Sequence, residues 1–363
     1  MVEDKIVFEV IPSNQNEKWN DIVHSFQHWD IYYLNEYAHS LEIHGDGEAF
    51  LIYFEQYDDA ENNCRLCYTV MKKDISENEN FVKILSKGIW YDLETPYGYG
   101  GFLMEGTFTE RIRKNFESRI TEYAMANKIV SQFVRFYPVY RNDIPYAQLS
   151  SSKVVYLKDT IYIDTTKEDI MSQMDSKNRN MVRKAKKKGV TICYDQGENL
   201  DEFIRIYENT MKHDHAETYY YFERKYYEYL IEHMQDNIEF FYSVYEGKRI
   251  GAAIFFYNHE YMHYHLSGLY PEYRPLAATN LLLYEAARWA CGKGIRLLHL
   301  GGGMKADDSL FGFKKQFNKD GRLPFCVGRT IYNKNAYEKL LLMRKQADEL
   351  FDLENNFMIQ YRR

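Results

Sequence analysis

Cysteine is sparse in this chain, long apolar runs are missing, and positive charge is not in excess. The five cysteines among 363 residues are odd in number and scattered, which does not describe a disulfide-stapled secreted fold. Cys64 and Cys67 make one Cys-x-x-Cys, but no second pair and no matching histidine pair completes a zinc set. They also sit in a strand-like run, Arg65–Met71, where alternate residues face opposite ways. Buried thiols in a reduced, cytoplasmic interior are therefore expected, with no metal. No apolar run approaches the roughly 18 residues that a membrane-spanning helix needs. The opening Met1-Val2-Glu3-Asp4-Lys5 has acidic residues and no apolar leader core. With 46 Lys and Arg against 53 Asp and Glu, the net charge of −7 argues against a general nucleic-acid coat, while a local basic patch stays open.

What the chain does have is aromatic residues, 34 Tyr and 22 Phe. Tyrosine joins an apolar ring to a hydrogen-bonding tip and lines grooves for polar ligands well. A bias of composition in the source organism is the other reading. The length suits two domains, and 45% hydrophobic content supports a sizeable core.

The first half reads as mixed α and β. Strands are expected over 5–11, 48–57, 65–72 and 129–137, with a polar turn at Asp58–Asn63. Helices are expected over 31–41, capped by Asp30, and over 109–127. Near Tyr156–Asp164 the chain crosses to a second half. A long helix from Thr166 turns strongly basic and ends at Gly189, followed by a strand at 190–194. Helices over 199–214 and 222–235 precede strands over 238–245, 249–258 and 261–269, the first two joined by the turn Glu246-Gly247-Lys248. Ala277–Lys293 carries a helical apolar stripe, and 295–300 is a strand ending in three glycines. A strand near Phe325–Tyr332 and a helix from Asn333 finish the chain. The reading is α+β, as two similar modules with mixed, mostly antiparallel sheets, residues 1–155 and 156–363, the last strand and helix being free to pack back on the first.

Four segments in this order resemble a known family. They are Pro96-Tyr97-Gly98-Tyr99-Gly100-Gly101, the basic helix Asn178–Gly189, Tyr207-Glu208-Asn209-Thr210-Met211 with Tyr219–Phe222, and Gly312-Phe313-Lys314-Lys315-Gln316-Phe317-Asn318. The second half resembles the Gcn5-related N-acetyltransferase fold. Two such modules resemble the Fem family, aminoacyl-tRNA-dependent transferases that build peptidoglycan interpeptide bridges. Asn318 stands where that family's Phe-Lys-x-x-Phe-Gly has its glycine, and His213 where relatives often carry arginine. The resemblance implies Lys314 as the cation for an oxyanion, with Phe313 packed beside it. Lys315, one residue on, is able to exchange roles with Lys314.

The residues around these segments carry two readings each. The stretch Leu300–Phe317 joins a glycine turn, where a ligand can approach closely, to a lysine between aromatic residues, whose stem lies dry and whose head is charged; a surface turn with a solvated basic helix is the alternative. Tyr97, Tyr99 and Gly100 have the composition of a ligand loop or of a tight turn. His213, Tyr219, Arg274 and Gly302 complete the expected substrate-binding set. Arg183, Lys184 and Lys187 are candidates for phosphates of a tRNA acceptor stem or a sugar-nucleotide, or are a solvated face. An acetyltransferase would cradle a pyrophosphate on backbone N–H groups before its crossover helix. Here Arg274 is in place, but Ala277 replaces the first glycine and Pro275 lacks an N–H. Acyl-CoA therefore ranks behind aminoacyl-tRNA as donor, and no bound cofactor is expected. The expected activity is amide formation on a cell-wall precursor, such as a sugar-nucleotide or lipid-linked species. The alternatives are an acyl-CoA N-acyltransferase for a surface sugar or small amine, and a non-catalytic sugar-nucleotide binding module.

Overall fold

A computed structural model describes residues 5–57 and 63–363. The turn expected at Asp58–Asn63 lies, Asn63 apart, outside the described residues. The chain divides into two units, Met1–Leu157 with Phe325–Arg363, and Lys158–Pro324. The elements run β1 (Lys5–Pro12), α1 (Asn16–Ser25), α2 (Asn35–His44), β2 (Glu48–Tyr57), β3 (Asn63–Asp74), β4 (Tyr91–Glu94), β5 (Leu103–Gly106), α3 (Glu110–Ala126), β6 (Ile129–Arg135) and α4 (Asp143–Tyr146). They continue with β7 (Ser152–Asp164), α5 (Ser176–Lys187), β8 (Thr191–Asp195), α6 (Leu200–His213), α7 (Arg224–His233), β9 (Ile238–Tyr245), β10 (Lys248–Tyr257) and β11 (Tyr261–Leu269). The last are α8 (Ala278–Gly292), β12 (Leu297–Gly301), α9 (Ser309–Lys315), β13 (Arg322–Ile331) and α10 (Lys334–Ala347).

In the first unit the strand order is β1-β2-β3-β4-β6-β13, with β5 also on β3. The β4–β6 pair is parallel and the others are antiparallel. The α3 helix starts where Thr109 Oγ1 accepts from the Ile112 amide at 3.3 Å. Its buried positions Ile112, Phe116, Ile120 and Ala124 recur at helical spacing. They close over Phe54, Leu66, Tyr68 and Phe102. Asp30 does cap a helical turn, but only the 3₁₀ segment Ile31–Tyr33, and α2 follows separately.

The last strand and helix, which the sequence leaves free to pack back on the first module, fall in the first unit. The physical reason is a ladder. Val327 to Ile331 pair antiparallel with Arg135 to Ser131 of β6. The α10 residues Ala336, Tyr337 and Leu340 then bury against Ile75, Phe81 and Tyr361.

The second unit has the order β7-β12-β11-β10-β9-β8, antiparallel except for β11–β12. Glu246 (φ 49°) and Gly247 (φ 75°) make the β9–β10 hairpin turn with two successive positive φ values, the geometry that matches strand twist. The helix expected to run unbroken from Thr166 is interrupted. Asp169 caps a 3₁₀ turn at Ile170–Gln173, and α5 begins only after Asp175. The α5 helix buries Asn178, Val182 and Ala185 toward α8 and leaves its cations exposed except Arg179, which is half-buried and donates to the Met174 carbonyl. Both units are thus α+β modules with mixed, mostly antiparallel sheets. Among the described residues no helix is long and apolar enough to cross a membrane. Cys64 and Cys67 are buried, as expected, and burial pushes the Cys64 thiol up to about 12.

Candidate active site in the second unit

The parallel β11–β12 pairing is short. It joins Tyr261 to Leu297, Met262 to Leu298 and His263 to His299. Beyond that point β11 stays with β10, while β12 continues along β7 to the Gly301–Ile161 pair. A sheet that parts in this way leaves a wedge, and on the β9, β10 and β11 side of it lies a cleft of about 330 Å³. Tyr264, Ser267 and Gly268 of β11, the first residues of α8, and Phe313 of α9 line it. Glycine is required at 268. A Cβ there would lie 2.7 Å from both the Ile206 carbonyl oxygen and Thr210 Oγ1, so only the missing side chain lets α6 cross β11 this closely.

The start of α8 faces the same cleft. No side chain caps it, so its first amides present the positive end of the helix dipole there. Ala277 adopts a left-handed conformation, φ 56°, and its N–H donates to the Arg274 carbonyl at 3.1 Å. The Arg274 guanidinium is exposed and lies 3.5 Å from Asp214.

Lys314 is only 8% exposed. Its Nζ donates to the Gly302 carbonyl at 2.8 Å and lies 5.8 Å from the Tyr264 ring centre. Burial, helped by the charge of Lys158 and partly offset by Asp308, brings the ammonium down to about 8. It still holds its proton at neutral pH, in a dry setting that strengthens its field. Phe313 stands beside it, edge-on to Phe317 at 5.4 Å. The Tyr264 hydroxyl donates to Ser267 Oγ at 2.5 Å. His299 Nε2 pairs with Thr160 Oγ1 at 2.9 Å, and its ring is 5.9 Å from that of His263. Burial, then His263, then Lys314 hold the His299 imidazole well below its ordinary value.

The glycine loop is clamped. Gly301 has φ 72°, and a Cβ on Gly303 would fall 2.0 Å from Asp308 Oδ1. Asp308 caps α9 by accepting from the Phe311 amide at 2.8 Å, and also accepts from the Lys305 amide at 2.8 Å. Lys158 Nζ donates to the carbonyls of Gly303 and Met304.

The structure brings Phe313 and Arg274 to one cleft; Lys314, bonded to Gly302, follows Phe313 in the chain and lies against Tyr264 of the cleft wall, with Lys315 half-buried on the same short helix. Tyr97, Tyr99 and Gly100 belong to the first unit. There the Tyr97 carbonyl accepts from the Tyr37 hydroxyl at 2.5 Å, and Tyr99 packs 5.8 Å from Tyr32 and 5.5 Å from Phe325. The Gly100 carbonyl accepts from Asn142 at 2.8 Å. His213 is exposed at the end of α6, and Tyr219 is half-buried, 5.5 Å from Tyr220. Arg183, Lys184 and Lys187 are exposed on α5, while Lys186 pairs with Glu285 at 2.7 Å. Sequence reasoning missed Lys158, Tyr264, Ser267 and Gly268. Only the glycine left a signal, an isolated Gly inside a strand.

A family model for an acetyltransferase (GNAT) domain matches residues 174–315. A crystal structure of FemX superposes with a TM-score of 0.66 at 14% identity, covering 93% of this chain and 99% of that one. The C-terminal domain (DUF2156) of a protein described as a lysylphosphatidylglycerol synthetase, from Agrobacterium fabrum, superposes at 0.54 and 13% identity, over 92% and 96% of the two chains. L-PGS from Bacillus licheniformis does so at 0.54 and 10% identity, over 93% and 98%. No curated protein matches the sequence.

Proposed function

We propose that this chain, which has a Fem-like tandem GNAT fold, transfers an aminoacyl group from aminoacyl-tRNA to an amine on a cell-wall precursor. The observation that carries the reading is a buried ammonium, Lys314, bonded to the glycine loop and set between Phe313 and Tyr264, two residues that line the cleft. In this reaction the acceptor amine attacks the ester carbonyl carbon and a C–N bond forms. Negative charge grows on the carbonyl oxygen, and Lys314 offers a preorganised cation for it. The C–O bond to the ribose then breaks, and the leaving ribose oxygen takes the proton that the amine gives up. No strong protein base is needed. The first amides of α8 supply a second positive end to the same wedge. The α5 cations Arg183, Lys184 and Lys187 are the contacts for tRNA phosphates.

The second reading, acyl-CoA as donor, draws on the uncapped start of α8 as a phosphate seat. It is weakened because Pro275 has no N–H and the Ala277 N–H is spent on Arg274. The test is product analysis by mass spectrometry, with aminoacyl-tRNA or acetyl-CoA offered as donor and UDP-muramyl-pentapeptide as acceptor. Aminoacylated product is expected, and Lys314→Ala should lower turnover about 100-fold or more while the acceptor-induced thermal shift is kept. Acetylated product alone would replace this reading with the second. Full activity in Lys314→Ala would remove Lys314 from the chemistry.

Binding of tRNA should weaken steeply with salt. The double variant Lys184→Gln/Lys187→Gln should flatten the slope of log K against log salt by about 1–2. An unchanged slope would place the tRNA elsewhere.

A further inference from the structure

We propose that Lys158 is a positioning residue for the Lys314 reaction, holding the glycine loop in the register that presents the Lys314 ammonium to the cleft. The inference rests on the reading of Lys314 above. Its own basis is a run of three successive backbone carbonyls shared between two lysines. Gly302 accepts from Lys314 at 2.8 Å, and Gly303 and Met304 both accept from Lys158.

The two lysines reach the loop from different elements, Lys158 from β7 and Lys314 from α9. Gly302 is tight against β7, where a Cβ would lie 3.0 Å from the Asp159 carbonyl oxygen. The other side of the loop is fixed by Asp308, which caps α9. The β7 end is further tied by Arg322, which donates to Asp159 at 3.0 Å and lies 5.5 Å from the Phe311 ring centre. Loss of the Lys158 amine would free two of the three carbonyls and leave the Gly302 oxygen, the anchor of Lys314, on a turn held from the Asp308 side alone. A displacement of about 1 Å at such a site is costly in rate.

Lys158 also acts through charge. The charged and titratable groups around Lys314 are Lys158 from β7, Asp308 at the head of α9, His299 from β12 and Tyr264 from β11. His299 stays neutral, so Lys158 is the cation that opposes a proton on Lys314, and Asp308 favours one. Removing the Lys158 charge must therefore raise the pH at which Lys314 loses its proton.

The test uses the full chain and Lys158→Met and Lys158→Arg variants, with two readouts. One is turnover against pH. The other is the pH dependence of Lys314 labelling by acetic anhydride, read peptide by peptide in a mass spectrometer, which needs no substrate. Lys158→Met should lower kcat about ten-fold with little change in KM, and should move both the alkaline limb and the labelling midpoint of Lys314 to higher pH. Lys158→Arg keeps a cation and several donors and should restore most of kcat and the original midpoint. A lowered melting temperature in Lys158→Met with an unmoved midpoint would reduce Lys158 to a structural residue and overturn the proposal. If the midpoint moves while Lys314→Ala retains full turnover, the coupling stands but the catalytic reading of Lys314 fails. An unchanged kcat in Lys158→Met would overturn the positioning role directly.

Discussion

Replacing Lys314 with methionine is expected to stabilise the second unit at neutral pH while removing acyl transfer. The native state holds the ammonium at about 8, against 10.5 for an ordinary lysine. A depression of that size corresponds to roughly 3 kcal/mol of unfavourable burial for the charged form. Methionine in turn gives up the hydrogen bond to Gly302, about 1 kcal/mol. Methionine has a similar reach and no charge, so a net gain of about 2 kcal/mol is expected at pH 7.

The sign follows from the two titrations. Below about 8 the amine is protonated in both folded and unfolded chains, and the full penalty is present. As pH rises from there toward 10.5, only the folded amine is neutral, and the wild-type disadvantage shrinks until the two proteins converge. Trp289 is the single tryptophan of the four that lies in Lys158–Pro324, so a variant with the other three replaced by phenylalanine reports this unit. Denaturant midpoints at pH 7 and pH 10 measure the effect. A methionine variant less stable than wild type at pH 7 would mean that the buried charge is well compensated and is no reservoir of strain.

The second large effect is expected at the other end of the chain. Arg362→Ala should destabilise the first unit by about 3–5 kcal/mol. Arg362 donates to Asp92 Oδ2 through Nε at 3.0 Å and NH2 at 2.9 Å, and to Glu94 Oε2 at 2.7 Å. Asp92 is only 2% exposed, and it also accepts from Ser131 at 2.9 Å and from the Tyr361 hydroxyl at 2.5 Å. Without the guanidinium a carboxylate is left buried with neutral donors alone. Glu94 keeps Lys73 at 2.6 Å and suffers less. Burial opposes the Glu94 charge, but Lys73, Arg362 and Arg135 outweigh it and hold the carboxyl well below the usual range. Its contribution is therefore present at neutral pH and lost as the solution is acidified past the ordinary carboxylate value. Arg362→Met combined with Asp92→Asn should recover much of the loss, because no charge is then left unpaired. Chemical denaturation of the three proteins checks both statements. Equal stability of Arg362→Ala and wild type would show that the pair contributes nothing.

Local signals carried most of the elements but not their company. The β9–β10 hairpin was legible because Glu246-Gly247 can take two positive φ values, and α8 because its apolar stripe has one period. The Thr166 helix misled because its basic pattern hides a 3₁₀ turn closed by Asp169. The return of β13 to the first module is left open by the sequence, but its pairing with β6 is not legible, since the ladder partners lie about 190–200 residues away and no local propensity encodes an edge. The same holds for the candidate site. Lys314 stands out among aromatic residues in its own segment. Lys158 sits in a strand beside Val155, Tyr156 and Leu157, where nothing local distinguishes it. Its meaning appears only when β7 is laid against the glycine loop. The aromatic wealth of the loop around Tyr99 reads equally well as packing or binding, and the observed ring contacts are packing.

The division of the chain into an interrupted unit and a continuous one has a consequence for synthesis. Residues 158–324 are complete as soon as they leave the ribosome and can fold at once. The earlier part of the first unit lacks β13, α10 and the Arg362 partner of Asp92 until residues 325–363 have been made. At bacterial or eukaryotic elongation rates that delay is on the order of 10–40 seconds. During it the outer edge of β6 and the carboxylate of Asp92 wait unpartnered, and the module translated first is the module finished last.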